Sequence, residues 1–180
     1  MRTPTAPALL FAFTLASCAG DSSTTTAASA RAATLARAGG QASAPRPLAG
    51  RCDLTVAPLP SAPPLLRQTD TGTCQLSHLG RTKYEGVLEL DLVARTQRGE
   101  RTLTAANGDE LHLTTVGTSA PAGPGLVSFT ATFTIVGGTG RFANATGQGR
   151  SDGTANLTTN KTSVAMDGWI DYDASGRSGS

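Results

Sequence analysis

Apolar and polar residues alternate with a period of two along most of the chain after residue 50. In the clearest stretch, residues 126–136, apolar residues such as Phe129 and Phe133 alternate with serines and threonines. This alternation predicts β-strands that bury one face, and no stretch has the 3.6-residue period of an amphipathic helix. Eight strands are predicted, near residues 51–57, 73–79, 84–94, 101–106, 110–117, 126–136, 147–158 and 162–172.

Turn residues separate these strands. Asn107-Gly108 predicts a tight hairpin turn, because both residues tolerate positive φ. Arg98-Gly99 and Asn160-Lys161 predict two further tight turns. Residues 117–125 are rich in glycine, proline and alanine. They predict a long connection at one mouth of the fold.

Short antiparallel strands that follow one another either stack as two sheets or close into a cylinder, since an open edge invites aggregation. We therefore expect residues 51–173 to form an all-β domain, an eight-stranded antiparallel β-barrel, with a β-sandwich as the alternative. The interior of an eight-stranded barrel is either filled by side chains or holds one small ligand. The last residues, 174–180, are expected to form a flexible tail.

The first residues have the pattern of an export signal. Arg2 supplies a positive charge, and the apolar run that follows is too short to span a bilayer. Leu15-Ala16-Ser17-Cys18 resembles the bacterial lipobox, in which the cysteine is acylated and becomes the mature N-terminus. Residues 1–17 are therefore interpreted as a lipoprotein signal peptide, with an ordinary secretory signal as the alternative.

Lipidation at Cys18 would make a membrane the partner of the protein through its N-terminal lipid. The protein is then expected to be exported and anchored to the bacterial cell envelope. Ala19 is compatible with the outer membrane in a cell that has two membranes. Residues 18–50 are rich in alanine, serine, threonine and glycine and have no hydrophobic face. They are predicted to be a disordered linker between the lipid and the folded domain.

The other two cysteines, Cys52 and Cys74, each lie near the start of an alternating segment. Export would place them in a compartment that allows disulfides, and we predict that they pair across neighbouring strands. The segment between them, with Pro58, Pro60, Pro63 and Pro64, is too rich in proline to form regular hydrogen-bonded structure. Two free thiols are the alternative.

The net charge and the fraction of charged residues exclude several classes of protein. The 180 residues include 15 Lys and Arg against 13 Asp and Glu, which gives a formal net charge of +2. This near-neutral balance argues against nucleic-acid binding driven by phosphate contacts. Charged residues make up only 16% of the chain, which argues against a coiled coil and against a charge-rich disordered protein.

The most distinctive segment spans residues 135–149. It matches the dinucleotide-binding pattern G-x-G-x-x-A, but no parallel sheet unit follows, so no cofactor is predicted. A structural corner is favoured, in which glycines permit a tight bend, Phe142 closes the barrel end and one helical turn leads into the next strand. The corner comprises Gly137, Gly138, Gly140, Phe142 and Gly147.

Within this segment, Gly-Gly-Thr-Gly-Arg-Phe-Ala followed by Ala-Thr-Gly resembles the strand-corner-strand motif of the allene oxide cyclase and dirigent families. Small secreted bacterial proteins share the same barrel. A looser likeness extends over residues 51–172. The resemblance implies an eight-stranded antiparallel barrel with an apolar cavity, which in the plant families shapes a reactive intermediate. No catalytic position of those families matches this chain, so the resemblance supports the fold more than an activity.

Candidate site residues are few. Only two histidines occur, His78 and His112, so a metal site is not predicted. His112 is expected to face solvent with Asp109 and Glu110, whereas His78 follows Cys74 on an apolar face and could orient a ligand. No catalytic residue is predicted. The residues expected to line a cavity are His78, Leu88, Leu90, Phe129, Phe133 and Met166.

Two functional hypotheses follow. The first is an envelope-anchored protein with a non-enzymatic binding or accessory role, in which the barrel holds a small apolar ligand. The alternative is an isomerase or cyclase of the allene oxide cyclase type, which rests on analogy of fold. An open apolar cavity that contains His78 or a carboxylate would favour the enzyme, and an interior filled with side chains would exclude it.

Overall fold

The sheet closes on itself. The computed structural model describes residues 44–173, in which each of eight antiparallel strands pairs with the next and the last pairs with the first. The expected all-β fold and barrel are therefore confirmed, and the β-sandwich is wrong. The strands are β1 (Arg46–Leu59), β2 (Leu65–Leu76), β3 (Gly80–Asp91), β4 (Thr96–Thr104), β5 (Glu110–Gly123), β6 (Leu126–Gly138), β7 (Thr146–Asn156) and β8 (Lys161–Asp171).

The alternation in the sequence sets which side chains enter the barrel. Along β6, Ala131, Phe133 and Ile135 are buried while the threonines between them are exposed. The Phe133 ring lies where a Cβ would stand at Gly149 and at Gly168 on the two following strands. Large rings from one strand thus fill the space that glycines leave on its neighbours, as close packing requires.

The two ends of the barrel are built differently. The connections at one end, residues 77–79, 105–109 and 139–145, lie beside the first residues of β1 and the last residues of β8. We call this the closed end. The connections at the other end are residues 60–64, 92–95, 124–125 and 157–160. We call this the mouth, because the interior cavity described below lies beneath it.

The glycine-rich corner lies at the closed end. A single 3-10 turn, Gly140–Phe142, joins β6 to β7, and Gly137 and Gly140 adopt positive φ there. Phe142 is fully buried, and its ring centroid lies 5.0 Å from that of Tyr172. The Arg141 guanidinium covers the Phe142 ring at 4.7 Å and pairs with Asp109 at 3.7 Å. Phe142 therefore fills the barrel at this end, with the Arg141 guanidinium stacked over its ring.

A disulfide joins Cys52 to Cys74, which face each other across β1 and β2. Both half-cystines are buried inside the barrel, with the Met166 sulfur 3.9 Å from that of Cys52. The predicted pairing is confirmed. The bridge fixes the register at the point where the first strand of the barrel meets the second.

Several predicted boundaries are wrong. The first strand begins at Arg46, inside the expected 18–50 linker, because its residues pair with β8. Arg98-Gly99 lies within β4 and not in a turn. The turn between β3 and β4 is residues 92–95, where Arg95 adopts positive φ.

The expected long connection at residues 117–125 is mostly strand. Strands β5 and β6 continue as a hairpin to a short tip at Pro124-Gly125, where Gly123 and Gly125 adopt positive φ. Pairing between β4 and β5 ends at Thr118, so the hairpin extends past its neighbour at the mouth. Gly117 and Pro121 lie within β5 itself, so glycine and proline did not mark a loop there.

Candidate functional site

A cavity of about 220 Å³ occupies the half of the barrel beneath the mouth. Phe133 and Phe142 fill the other half of the barrel, whereas the inward side chains of this half, which are mostly leucines, alanines and hydroxyl residues with Phe129 among them, leave the space between them open. Its wall is mainly apolar. The lining residues are Leu54, Leu66, Gln68, Asp70, Tyr84, Leu88, Leu90, Leu92, Gln97, Arg101, Leu113, Thr115, Ser119, Val127, Phe129, Ala131, Ser151, Ala155, Leu157, Thr162, Val164 and Met166.

A buried ion pair lies on one side of this cavity. Arg101 on β4 and Asp70 on β2 approach to 3.5 Å between Nη2 and Oδ2, and their side chains are only 5% and 8% exposed. Gln68 donates from Nε2 to Asp70 Oδ1 at 3.0 Å. Two opposite charges in an apolar cavity are costly to bury and are retained only with good partners. This pair is therefore the first candidate for a functional group.

Two glycines make room for the arginine. A Cβ at Gly86, directly across from Arg101 on β3, or at Gly99, two residues before it on β4, would collide with the Arg101 side chain. The guanidinium Nη1 donates to the carbonyl oxygens of Val87 and Glu100. Backbone acceptors and glycine gaps thus hold the cation flat against the barrel wall, where one face remains toward the cavity.

Burial sets the protonation of the acidic groups. It raises the pKa of the Asp70 carboxyl, although Arg101 and the Gln68 hydrogen bond act in the opposite direction. Burial also raises the pKa of Tyr84 to about 12, with a smaller lowering by Arg101. Tyr84 is therefore a neutral phenol at neutral pH. The cavity offers a phenol hydroxyl, a carboxyl group and a guanidinium side by side.

The guanidinium has unused hydrogen-bonding capacity. Arg101 Nε is buried and has no hydrogen-bond partner among the described residues. A buried donor without a partner is costly. This side of the cavity can consequently orient an oxygen atom of a bound molecule, while the leucines and Phe129 enclose its apolar part.

The structure places most of the expected cavity residues in the cavity wall and one in the packed core. Leu88, Leu90, Phe129 and Met166 line the cavity. Phe133 is buried in the packed core and is not part of the lining.

The expectation for His78 is wrong. The strand β2 ends at Leu76, and His78 is exposed in the following turn with φ 63°. The alternation ends with the strand two residues before His78, and His78 itself is the residue with the left-handed backbone. His112 is partly exposed and pairs with Glu110 at 3.1 Å on the outer wall.

Sequence reasoning missed Asp70, Arg101 and Tyr84. The alternation did carry a signal. On β2, Asp70 points to the same face as Cys74 and Leu76. On β4, Arg101 points to the same face as Leu103. A charged residue on the apolar face of a strand is rare and marks a paired or functional group. The predicted second strand began at residue 73 and so excluded Asp70.

Three other predicted features fall outside the part of the chain that the structure describes. Cys18, the signal peptide at 1–17 and the tail at 174–180 lie outside the described residues. Within residues 44–173, no group of three His, Cys, Asp or Glu side chains could hold a metal ion. In the same range, no helix has the length and apolar character needed to cross a membrane.

Comparison with known proteins bears on the fold. No family model matches the chain, and no curated protein matches it. The solved structure of a pterocarpan synthase dirigent protein superposes with a TM-score of 0.51, covering 74% of this chain and 91% of that chain. The fold is dirigent-like. Sequence identity over this dirigent-like barrel is 15%, so the likeness concerns architecture alone.

Proposed function

We propose that this dirigent-like barrel is an envelope-anchored binding protein without catalytic activity. Its ligand is a small, mainly apolar molecule that carries one oxygen function. The observation that carries the proposal is the cavity of about 220 Å³ with a mainly apolar wall that carries one ion pair, Arg101–Asp70. An apolar cavity of about 150 Å³ is large enough for benzene, so this one accommodates one or two rings or a short alkyl chain.

The polar side gives the ligand its orientation. Arg101 Nε has no hydrogen-bond partner among the described residues, and Tyr84, whose side chain interacts with Arg101, lines the same cavity. The charge of Arg101 is already balanced by Asp70 at 3.5 Å. A neutral hydroxyl, ether or carbonyl oxygen therefore fits better than a carboxylate, which would bring a second negative charge beside Asp70.

Binding is tested with 2-naphthol, whose fluorescence reports its surroundings, and with naphthalene, which lacks the hydroxyl. The wild-type protein should bind both saturably and should prefer 2-naphthol by about tenfold, the value of one hydrogen bond to a charged group. The variant Arg101→Met should bind both equally. Absence of saturable binding of either compound would contradict the proposal.

A pair of neighbouring substitutions provides the control. Ala155 lines the cavity near the mouth, whereas Thr154 is exposed on the outer wall of the same strand. Ala155→Trp should occupy the cavity and abolish binding of 2-naphthol. Thr154→Trp should leave binding unchanged. Equal effects of the two substitutions would show that the compound binds outside the barrel.

The lipid anchor is tested separately. Palmitate labelling of the protein in the producing cell should be lost when Cys18 is changed to serine. Extraction of the wild-type protein from the envelope should require detergent. The Cys18→Ser variant should be extracted without it. Labelling that persists in the variant would show that Cys18 is not the lipid site and would leave ligand binding unaffected.

The enzymatic alternative gains support from Asp70, a carboxyl with a raised pKa inside an apolar cavity. An isomerase or cyclase of the allene oxide cyclase type would give one enantiomer from an unstable allene oxide generated in its presence. Asp70→Asn would remove the enantiomeric excess while 2-naphthol still binds. A racemic product with the wild-type protein would exclude this alternative.

A further inference from the structure

The mouth of the barrel carries exposed apolar side chains. Leu92 is 55% exposed, Val93 81%, Leu157 61% and Leu65 41%, and these are four of the eight large hydrophobic residues exposed in the described range. Leu92, Val93 and Leu157 come from two of the four connections around one opening, and Leu65 is the first residue of β2, directly after a third. Scattered exposed leucines are ordinary, but a group around one opening is typical of an interaction surface. We call these four residues the rim.

The rim is continuous with the cavity. Leu92 and Leu157 belong both to the exposed group and to the cavity wall. An apolar molecule entering the barrel would therefore pass from the rim to the cavity along apolar surface. At the closed end, by contrast, the connections carry His78, Asn107 and Arg141.

Two matching turns hold the rim leucines in place. The Asp91 carboxylate accepts hydrogen bonds from the backbone N–H groups of Val93 and Ala94. The Asn156 side-chain oxygen accepts in the same way from Thr158 and Thr159. In each turn a leucine directly follows the capping residue, so the two leucines are presented by ordered backbone.

Cations outnumber carboxylates near the rim. Arg95 is the only charged residue within the four mouth connections, and Lys161 begins β8 directly after one of them. The acidic Asp91 is engaged by its own turn. The hairpin beside the mouth, from Thr114 to Val136, contains no charged residue. Apolar side chains flanked by cations are the combination that binds the surface of an anionic bilayer.

We propose that the rim docks onto the surface of an anionic phospholipid bilayer, with Leu92, Val93 and Leu157 among the acyl chains and Arg95 and Lys161 at the headgroups. Docking would let an apolar ligand move between bilayer and cavity without crossing water. The inference goes beyond ligand binding and does not require the lipid at Cys18. It predicts a contact that a covalent anchor alone would not produce.

The test places a fluorescent reporter on the rim. The full chain with Cys18→Ser and Trp169→Phe lacks its one tryptophan. Val93→Trp then reports the rim, and Val136→Trp, 61% exposed in the wild type near the closed end, is the matched control. Vesicles of phosphatidylcholine and phosphatidylglycerol with brominated acyl chains should quench the rim tryptophan at least threefold more than the control tryptophan. Equal quenching, or none, would overturn the proposal.

Substitution of the two cations at the mouth, Arg95 and Lys161, provides a second test. Arg95→Gln with Lys161→Gln should lower the quenching of the rim tryptophan on anionic vesicles at least fivefold, at equal lipid. The control pair, Arg81→Gln with Lys83→Gln, lies at the other end of β3 and should have no effect. Equal effects of the two pairs would overturn the assignment of the cations to the mouth.

Self-association is the competing use of an apolar rim. A blue shift of the Val93→Trp emission that rises with protein concentration in the absence of vesicles would identify a second copy as the partner and overturn the bilayer. Binding of 2-naphthol is measured on the same samples. If ligand binding persists while quenching is absent, the docking proposal fails and the proposed function stands.

Discussion

The closed end and the mouth are made from the same eight strands, yet one is solid and the other is hollow. At the closed end, Phe142, Tyr172 and the residues around them fill the interior and are covered by Arg141. Beneath the mouth, leucines and alanines leave about 220 Å³ unfilled, with Asp70 and Arg101 on one side. Stability is therefore concentrated at one end, and the capacity to bind at the other.

The largest difference between the two ends should appear in a pair of matched truncations. Phe142→Ala removes a fully buried ring and should lower the free energy of unfolding by about 4 kcal/mol. Phe129→Ala removes a half-buried ring that already borders the cavity and should cost about half as much. Urea unfolding measures both. Equal losses would mean that the two ends are packed alike.

The ion pair should show the next largest effect. Arg101→Met leaves Asp70 buried without its cation and should cost about 3 kcal/mol in urea unfolding, as when one partner of a buried pair is removed. Adding Asp70→Leu to Arg101→Met removes the second charge and should restore most of the loss. A double variant less stable than the single one would show that the two residues do not act as a pair.

A smaller effect is expected from pH. The folded-state pKa of Asp70 lies above its ordinary value of 3.8 because of burial. The stability from its proton is fully present below that ordinary value, and it is lost as the pH rises through the folded pKa. The unfolding free energy of the wild type minus that of Asp70→Asn should therefore fall as the pH rises from below 3.8 through the folded pKa. A difference that rises with pH would contradict this assignment.

Most of the barrel could be predicted from the sequence, and the parts that failed have physical reasons. The alternation along β6 and the pairing of Cys52 with Cys74 depend on local pattern and are confirmed. Gly99 was misread as a turn residue, since a sequence does not show that a glycine faces a bulky side chain such as Arg101. The start of β1 at Arg46 depends on pairing with the distant strand β8.

The site was harder to predict than the fold. Leu88 and Leu90 follow from alternation alone, and both line the cavity. His78 was misplaced because β2 ends at Leu76, and His78 itself adopts a left-handed conformation in the turn that follows. Asp70 and Arg101 meet only because β2, β3 and β4 pair in a particular register, which puts a glycine between them. Such a register is set by the whole barrel.

A methyl-resolved NMR titration with benzyl alcohol distinguishes a hollow mouth from a solid closed end. The methyl groups of Leu88 and Leu90, which line the cavity, should shift saturably, while those of Leu103 and Leu111, which are fully buried outside it, should remain in place. This result would show an interior that is open to a small ring beneath the mouth and packed solid at the closed end. No saturable shift at Leu88 and Leu90, or equal shifts at all four leucines, would contradict the account.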